Sequence, residues 1–179
     1  MDSGYNYNLE IIFVISMIKK FFPDYKFKNI ASIDPGVFLG ADLIIFDIDN
    51  ALFFPETTDI PKETLDWFLR IKDKYQCICL SNSNTIRRRQ QEIEKILGCK
   101  VFLGKRKKPS KKLFFEIKEK FPEAKNIIMI GDRVFPDILF GNSNGMKTIL
   151  VDIISEKEKP LIKISRFLEN IFISILKLF

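Results

Sequence analysis

The sequence predicts an α/β fold in which a three-layer, Rossmann-like arrangement places a parallel sheet of about five strands between two layers of helices. Short apolar runs alternate with amphipathic stretches in the middle of the chain, a pattern typical of parallel sheets covered on both faces. The apolar runs are continuous, which indicates strands buried on both faces. At 179 residues and 46% apolar content, the chain suits one domain with a sizeable core.

Local signals support the elements in order along the chain. The run Leu43–Phe46 contains only large apolar side chains, and it predicts a strand at residues 42–47. Pro61 suits the first turn of the following helix, predicted at residues 61–74, because the fixed φ angle of proline fits that position.

The next strand and helix are predicted at residues 76–81 and 85–97. Cys77 and Cys79 alternate within the strand and are interpreted as small core side chains. Gly98 is typical of a residue that ends a helix. No cysteine spacing here matches a zinc site or a thiol phosphatase, so free thiols and a reducing compartment are expected.

The second half of the chain continues the alternation. Pro109 fixes the backbone before a helix predicted at residues 110–120, and the run Ile127–Gly131 predicts a strand at residues 126–131. The remaining predicted elements are a strand at residues 100–103, a helix at residues 135–141 and a strand at residues 147–151.

The N-terminal end differs from this core. Residues 9–18 form an apolar stretch that is too short to span a bilayer as an untilted helix, and Lys19 and Lys20 follow it. Because the stretch lacks a basic leading region and a small-residue cleavage site, a signal peptide is not expected. The sequence predicts a cytoplasmic protein that can associate peripherally with the inner face of the membrane.

The C-terminal residues 161–179 predict an amphipathic helix with a narrow polar arc and a broad apolar face. Such a helix either lies in a membrane interface, with its basic residues near anionic headgroups, or docks on its own domain. Both alternatives stay open. The polar arc contains Lys163, Arg166, Asn170, Ser174 and Lys177.

Three parts of the chain are expected on these grounds. Residues 1–40 form an N-terminal amphipathic segment and lead-in, residues 41–155 form the core, and residues 156–179 form the C-terminal helix, docked on the core or associated with a membrane.

Composition limits the chemistry. The formal charge of +6 favours an anionic partner. The chain has no histidine, which excludes Ser-His-Asp and Cys-His catalysis and zinc sites that use imidazole. Nucleic acid is not the expected partner, because the basic residues are not interleaved with exposed aromatic residues. The oligomeric state is left open.

Two acidic pairs follow two of the predicted strands. Asp47 and Asp49 end the first strand, and Asp132 and Asp137 follow the strand at residues 126–131. An aspartate after a strand is often only a helix cap or a turn residue. Parallel strands, however, bring such residues to one edge of the sheet, where the carboxylates would repel each other without a cation. Hard oxygen ligands favour Mg2+, so the pairs predict a magnesium site and an anionic substrate.

Two further signals lie between the acidic pairs. Ser81 and Asn82 follow the second strand and offer hydroxyl, amide and backbone donors at a helix N-terminus, where a phosphate can bind. Ordinary capping is the alternative role for this turn. Lys108 precedes Pro109, and a rigidly placed lysine can neutralise a phosphoryl group or a carboxylate nucleophile.

In order, strand-Asp-x-Asp, strand-Ser, Lys-Pro and strand-Gly-Asp-x-x-x-x-Asp resemble the four motifs of the haloacid dehalogenase-type phosphatases. The resemblance implies a phosphoryl transfer in which Asp47 attacks phosphorus and forms an aspartyl-phosphate that water then cleaves. Asp49 would protonate the leaving oxygen and later activate the water. Lys108 would steady the nucleophile and the phosphate.

The same resemblance assigns the binding residues. Ser81 would hold a phosphoryl oxygen. Asp132 would bind Mg2+ together with Asp47 and the backbone carbonyl of Asp49, and Asp137 would act from behind these ligands or through water. The short segments between the motifs leave no room for a cap domain, which is typical of the capless subfamily IIIA and of a site open to a large substrate.

A narrower resemblance covers roughly residues 17–172 and points to the YqeG-type phosphatidylglycerophosphate phosphatases. It rests on these segments: Lys19-Lys20-Phe21-Phe22-Pro23-Asp24, Asp47-Ile48-Asp49-Asn50, Ser81-Asn82, Lys108-Pro109, Gly131-Asp132 with Phe135 and Asp137, Gly141-Asn142 with Gly145, Thr148–Val151, and Ile164-Ser165-Arg166. It implies conversion of phosphatidylglycerophosphate to phosphatidylglycerol, with a phospholipid substrate at an anionic membrane surface.

The chain departs from that family at four positions, namely Ala51, Arg133, Pro136 and Ser143. Ala51 removes a hydroxyl that normally supports the nucleophile loop. None of the departures removes the expected nucleophile or a metal ligand. Two alternatives to a lipid phosphatase stay open: a phosphatase for a soluble or macromolecular phosphomonoester, and a non-catalytic phosphate-binding domain.

Overall fold

The computed structural model describes residues 7–177. Predictions made for residues 1–6 and 178–179 fall outside this range. The strands are β1 (Tyr25–Phe27), β2 (Leu43–Asp47), β3 (Cys77–Leu80), β4 (Lys100–Val101), β5 (Ile127–Gly131) and β6 (Lys147–Val151). The helices are α1 (Tyr7–Lys19), α2 (Lys62–Lys72), α3 (Ile86–Leu97), α4 (Lys111–Lys120), α5 (Leu139–Ser143) and α6 (Pro160–Leu176).

The predicted α/β fold is confirmed, with one parallel sheet in the order β1-β6-β5-β2-β3-β4. The estimate of about five strands missed β1, which pairs with β6 from Tyr25 opposite Ile149 to Phe27 opposite Val151. Two of the three β1 residues are exposed, so the strand has no apolar run to reveal it.

The sheet is buried on both faces because side chains of β2 alternate between two apolar clusters. Ile44 and Phe46 pack on one face with α2 and α3, where Trp67 and Phe68 belong to the same cluster. Leu43 and Ile45 pack on the other face with residues of α4 and α5. Burial of each of these side chains stabilises the fold by about 1.5–3 kcal/mol, so β2 anchors both layers.

The strand order places the ends of three motif-bearing strands side by side. β2 lies between β5 and β3, with Phe46 opposite Ile130 and Asp47 opposite Leu80. The chain reverses its direction of progress across the sheet at β2, and ligands of such sheets bind outside the carboxyl ends of the strands at this point. The residues that follow β2, β3 and β5 therefore meet at one edge.

Helix α6 docks on this edge through Ser165, Arg166 and Glu169, whereas the rest of the predicted polar arc, Lys163, Asn170, Ser174 and Lys177, is exposed. Glu169 is buried, and Ser165 and Arg166 are half-buried, whereas Phe167 and Leu168 are exposed. Helix α6 therefore contacts the core, as the docked alternative expects. Arg166 points into the protein, whereas the membrane alternative places it near lipid headgroups. No helix in the range 7–177 has the length and apolar character needed to cross a bilayer.

The end of α1 is held against the same part of the molecule. The side-chain amide of Asn142 donates to the backbone carbonyls of Lys20 (2.9 Å) and Phe22 (2.8 Å). Phe21 packs on Phe172 of α6 with 5.0 Å between ring centroids. The segment that follows α1 therefore lies beside α6. The division of the chain at residues 40 and 155 stays a prediction, although β1 lies within the first of those parts.

Candidate active site

A cavity of about 560 Å³ opens at the carboxyl ends of β2, β3 and β5. The loop that connects β2 to α2, residues 48–61, is too short to contain an additional domain over the cavity. All of the residues predicted for the site line this cavity. They are Asp47, Asp49, Ser81, Asn82, Lys108, Asp132 and Asp137.

Lys108 is the cation at the centre of the site. Its ammonium group donates to Asp137 Oδ1 at 2.6 Å and forms a second ion pair with Asp47 Oδ1. The side chain is fully buried, which disfavours the charged form, but Asp137 and Asp47 outweigh the burial and raise the pKa of Lys108. A permanent positive charge therefore lies beside the carboxylate of Asp47.

Asn82 fixes the position of Lys108. Its side-chain oxygen accepts from the backbone N–H of Lys108 at 2.9 Å, and its side-chain nitrogen donates to the carbonyl of the same residue at 2.8 Å. The peptide bond between Lys108 and Pro109 is cis. Because both polar atoms of the Asn82 side chain contact Lys108, this residue positions the lysine; its phosphate-binding role stays a prediction.

Burial disfavours the negative charges of two carboxylates in the site, Asp47 and Asp132. Burial raises the pKa of Asp47 well above its usual value, against the effect of Lys108. Burial, together with the charge of Asp137, raises the pKa of Asp132 to about 7 in spite of Arg166. These carboxylates are therefore short of positive charge.

An Mg2+ ion fits the donor chemistry of this site, because buried carboxylates in excess of their cationic partners are the ligands that a hard divalent cation requires. In the part of the chain that the structure describes, no three carboxylate or thiol side chains converge on one point in a metal-binding group. Lys108 pairs with Asp47 and Asp137, and Arg166 pairs with Asp132 and Glu158.

Arg166 reaches the site from α6 and was not assigned to it from the sequence. It donates to Asp132 Oδ2 at 2.6 Å and to the Asp132 carbonyl at 2.8 Å, and it pairs with Glu158 at 2.6 Å. Glu158 in turn accepts from the side chain of Asn50 at 2.8 Å. These contacts join the loop after β2, the loop after β5 and α6. The segment Ile164-Ser165-Arg166 belongs to the family resemblance, but it gave no sign of these contacts, which form only after folding.

Asp49 lies in a second polar network. Its carboxylate accepts from Ser81 Oγ (3.0 Å), from the backbone N–H of Glu56 (2.8 Å) and from Arg89 (2.9 and 3.1 Å). Arg89 also donates to the Thr57 carbonyl at 2.7 Å. Sequence reasoning missed Arg89, because it follows two other arginines on the same helix and nothing in the sequence distinguishes it from them. In the structure those two, Arg87 and Arg88, are exposed.

Gly131 allows Asp137 to approach the strand end. A Cβ atom on Gly131 would lie 2.3 Å from the carboxyl carbon of Asp137, a distance at which something must shift. The Asp137 carboxylate also accepts from the backbone N–H of Arg133 at 3.1 Å. Only glycine at position 131 therefore permits the observed position of Asp137.

The structure shows the environment of the four residues that differ from the family pattern. Ala51 is buried, so an apolar side chain is tolerated in the loop after β2. Arg133 pairs with Glu169 and donates to Ser165 Oγ at 2.6 Å, which fastens α6 to the loop after β5. Pro136 lies in a wide helical turn at Val134–Ile138, and Ser143 ends α5. The structure offers no reason for the serine at position 143.

Comparison with known proteins agrees with this geometry. "Probable phosphatase YqeG" of Bacillus subtilis (strain 168) is 31% identical over 166 residues, which cover 90% of this chain and 95% of that protein. "Phosphatidylglycerophosphate phosphatase 1, chloroplastic/mitochondrial" of Arabidopsis thaliana is 29% identical over 175 residues, covering 89% of this chain and half of the plant protein (50%). No solved structure matches the chain.

A family model described as "Mitochondrial PGP phosphatase" matches residues 6–155, which is most of the chain. The resemblance identified from the four motifs is thereby confirmed, and the proteins named above are phosphatases by their printed names. This chain belongs to the PGP phosphatase family and is a phosphatase.

Proposed function

We propose that the protein is an Mg2+-dependent phosphomonoester hydrolase that works through an aspartyl-phosphate on Asp47. The observation that carries the proposal is the buried ammonium group of Lys108, held between Asp47 and Asp137. A carboxylate can attack an anionic phosphate only if positive charge offsets their repulsion, and Lys108 supplies such charge without leaving the core.

The first half of the reaction makes one bond and breaks one. A carboxylate oxygen of Asp47 attacks phosphorus while the bond from phosphorus to the leaving oxygen breaks. Lys108 orients Asp47 by holding Oδ1. Asp49 gives its proton to the leaving oxygen, which departs as an alcohol, and the Ser81 hydroxyl donates a hydrogen bond to a phosphoryl oxygen.

The second half restores the enzyme. Asp49, now a carboxylate, takes a proton from water, and the water oxygen attacks phosphorus to release inorganic phosphate and free Asp47. Asp47, Asp132 and the Asp49 carbonyl would hold Mg2+, with Asp137 acting behind them or through water. The ion would supply charge neutralisation at the phosphoryl oxygens.

The proposed substrate is phosphatidylglycerophosphate, which would be converted to phosphatidylglycerol. The plant relative carries this activity in its printed name. The cavity supports a lipid substrate, because Leu161 and Ile162 of α6 line it beside the charged groups. A phosphate could therefore enter the polar end while the attached chain stays near apolar surface.

We also propose that the protein associates peripherally with an anionic membrane surface. Exposed apolar side chains concentrate on two helices: Ile11, Ile12, Phe13, Val14, Ile15 and Met17 on α1, and Leu161, Ile164, Phe167, Leu168, Ile171 and Ile175 on α6. Lys19 and Lys163 are exposed at the same helices, and the net charge is +6. This combination suits anionic lipid headgroups. The cytoplasmic location stays a prediction.

Phosphate release from phosphatidylglycerophosphate in mixed micelles tests the proposal. The wild-type protein should release phosphate with Mg2+ and lose this activity with EDTA. Asp47→Asn should abolish release while keeping the thermal unfolding temperature close to wild type. Absence of release by the folded wild-type protein in the presence of Mg2+ would refute the lipid activity.

A soluble phosphomonoester is the second candidate substrate. The docking of α6 through Arg166 and Glu169 favours it, because these contacts give the helix a structural role that needs no membrane. Soluble phosphomonoesters tested in parallel distinguish the two candidates. Faster turnover of a soluble ester than of the lipid would support the second.

A further inference from the structure

The carboxylate of Asp49 accepts hydrogen bonds from three different residues. One terminal nitrogen of Arg89 donates to both Asp49 oxygens, and Ser81 and the Glu56 backbone donate to them as well. Glu56 adopts a φ of 59°, in the left-handed region that is unfavourable for a non-glycine residue. The loop accepts this cost while its N–H points at Asp49.

Arg89 is built into the protein for this contact. It is 9% exposed, whereas Arg87 and Arg88, its neighbours on α3, are exposed. Its second terminal nitrogen donates to the Thr57 carbonyl at 2.7 Å, so a single guanidinium joins α3 to Asp49 and to the loop beside it. Burying an ion pair rarely stabilises a fold more than apolar packing would. A role in the site is therefore the better explanation.

Ser81 has two competing tasks. Its hydroxyl donates to Asp49 at 3.0 Å, but in the proposed reaction the same hydroxyl proton serves a phosphoryl oxygen. When phosphate binds, Asp49 loses that contact. Arg89 and the Glu56 N–H then remain to keep the carboxylate directed at the leaving oxygen.

We propose that Arg89 is a positioning residue that holds Asp49 in line with the leaving-group oxygen. The inference rests on the proposed phosphomonoesterase reaction, and it adds a residue from α3 that acts through Asp49 without touching the substrate. Such a residue has a specific signature. Its loss should slow substrates whose leaving group needs a proton and spare those whose leaving group departs without one.

Two substrates separate these cases. The leaving group of an alkyl phosphomonoester such as phosphatidylglycerophosphate is an alkoxide, which must be protonated. The leaving group of p-nitrophenyl phosphate is a stable phenolate, which needs no proton. Arg89→Gln should lower kcat for the alkyl ester by about 100-fold or more, the usual contribution of a general acid, and for the phenyl ester by far less. KM should change little for either.

Two further variants complete the test. Arg88→Gln, an exposed arginine on the same helix, should leave both substrates at wild-type rates. Arg89→Lys keeps the charge but can reach only one of the two partners, Asp49 or Thr57, and should fall between wild type and Arg89→Gln on the alkyl ester. It also serves if the glutamine variant does not fold, as judged by thermal unfolding.

Equal losses on the two substrates by a folded Arg89 variant would overturn the inference, because they would indicate a general structural role. Wild-type rates on the alkyl ester would overturn it as well. Failure of the proposed function looks different: the wild-type protein would then release phosphate from neither ester, or Asp47→Asn would keep its activity, and both proposals would fall together.

Discussion

At the scale of single residues, the site depends on one buried cation between two carboxylates. Lys108→Met keeps the approximate length of the side chain and removes its charge, leaving Asp47 and Asp137 without their shared partner. We expect activity to fall at least about 100-fold, as on removal of a group that stabilises transition-state charge. Breaking a buried ion pair costs about 3–5 kcal/mol, so the unfolding temperature should fall too.

Lys107→Met is the matched control for that experiment, since Lys107 is exposed and the one contact described for its side chain is a hydrogen bond to Asn84 at 2.5 Å. It should keep wild-type stability, measured by urea unfolding, and most of the activity. A Lys108→Met variant as active as this control would contradict the role given to Lys108.

Gly131 offers a test of geometry without any change of charge. In Gly131→Ala the new methyl group would meet Asp137 at 2.3 Å, so Asp137, which contacts Lys108, must shift. We expect about 1–3 kcal/mol of destabilisation, the usual cost of overpacking, and a marked loss of kcat. Gly145→Ala, where a Cβ meets nothing within 4 Å but φ is +70°, should lose stability and keep the site intact.

At the scale of elements, the strands with long apolar runs were predictable and the short ones were not. β2, β3, β5 and β6 lie within one residue of the predicted bounds, because most of their residues are buried. β4 is shorter than predicted, and β1 was missed, since edge strands of two or three residues carry little burial signal. Strand pairing with neighbours, not local sequence, defines them.

The same limit applies to the site. Residues directly after strands were predicted together, because parallel strands deliver them to one edge. Arg89 and Arg166 were not assigned to the site, since each reaches it from a helix whose orientation is fixed only by packing. The periodicity of α6 placed Arg166 on one polar arc with Lys163, Asn170, Ser174 and Lys177, but only Arg166 of these residues faces the core, and the other four are exposed. It could not show which face meets the core.

The outer face of α6 gives a prediction for membrane association. Phe167→Glu places a charge on an apolar side chain that is 64% exposed. Burying a phenylalanine contributes about 1.5–3 kcal/mol, and each 1.4 kcal/mol is a factor of ten in affinity. Binding to anionic liposomes, measured by co-sedimentation, should therefore weaken about tenfold or more.

Phe115→Glu is the control for that variant, because Phe115 is also exposed (52%) but lies on α4. It should bind liposomes like wild type, and both variants should hydrolyse p-nitrophenyl phosphate normally. Unchanged liposome binding by Phe167→Glu would count against the membrane surface. So would a wild-type dimer that this substitution dissociates, since a second copy would then cover the face.

At the scale of the whole molecule, the buried carboxylates link stability, pH and metal binding. The pKa of Asp132 is raised to about 7, above its unfolded value, and that of Asp47 is raised as well. Between about pH 4 and pH 7 the folded protein without metal therefore holds protons that the unfolded chain has lost, and these groups make stability fall as pH rises. Glu158, whose pKa is lowered, acts in the opposite direction, but only at pH values near and below its usual 4.5.

Mg2+ should reverse this loss, because ligation requires ionised carboxylates and replaces the protons that burial favours. We expect the rise in unfolding temperature on adding Mg2+ to be several degrees larger at pH 8 than at pH 5.5. One pKa unit corresponds to about 1.4 kcal/mol, and about 1 kcal/mol shifts the unfolding temperature of a domain this size by about 2–4 °C. Differential scanning fluorimetry at both pH values measures the difference.

Asp132→Asn removes the titrating group, so its response to Mg2+ should be small at either pH. Equal stabilisation of the wild-type protein at pH 5.5 and pH 8 would mean that Mg2+ does not bind through these aspartates.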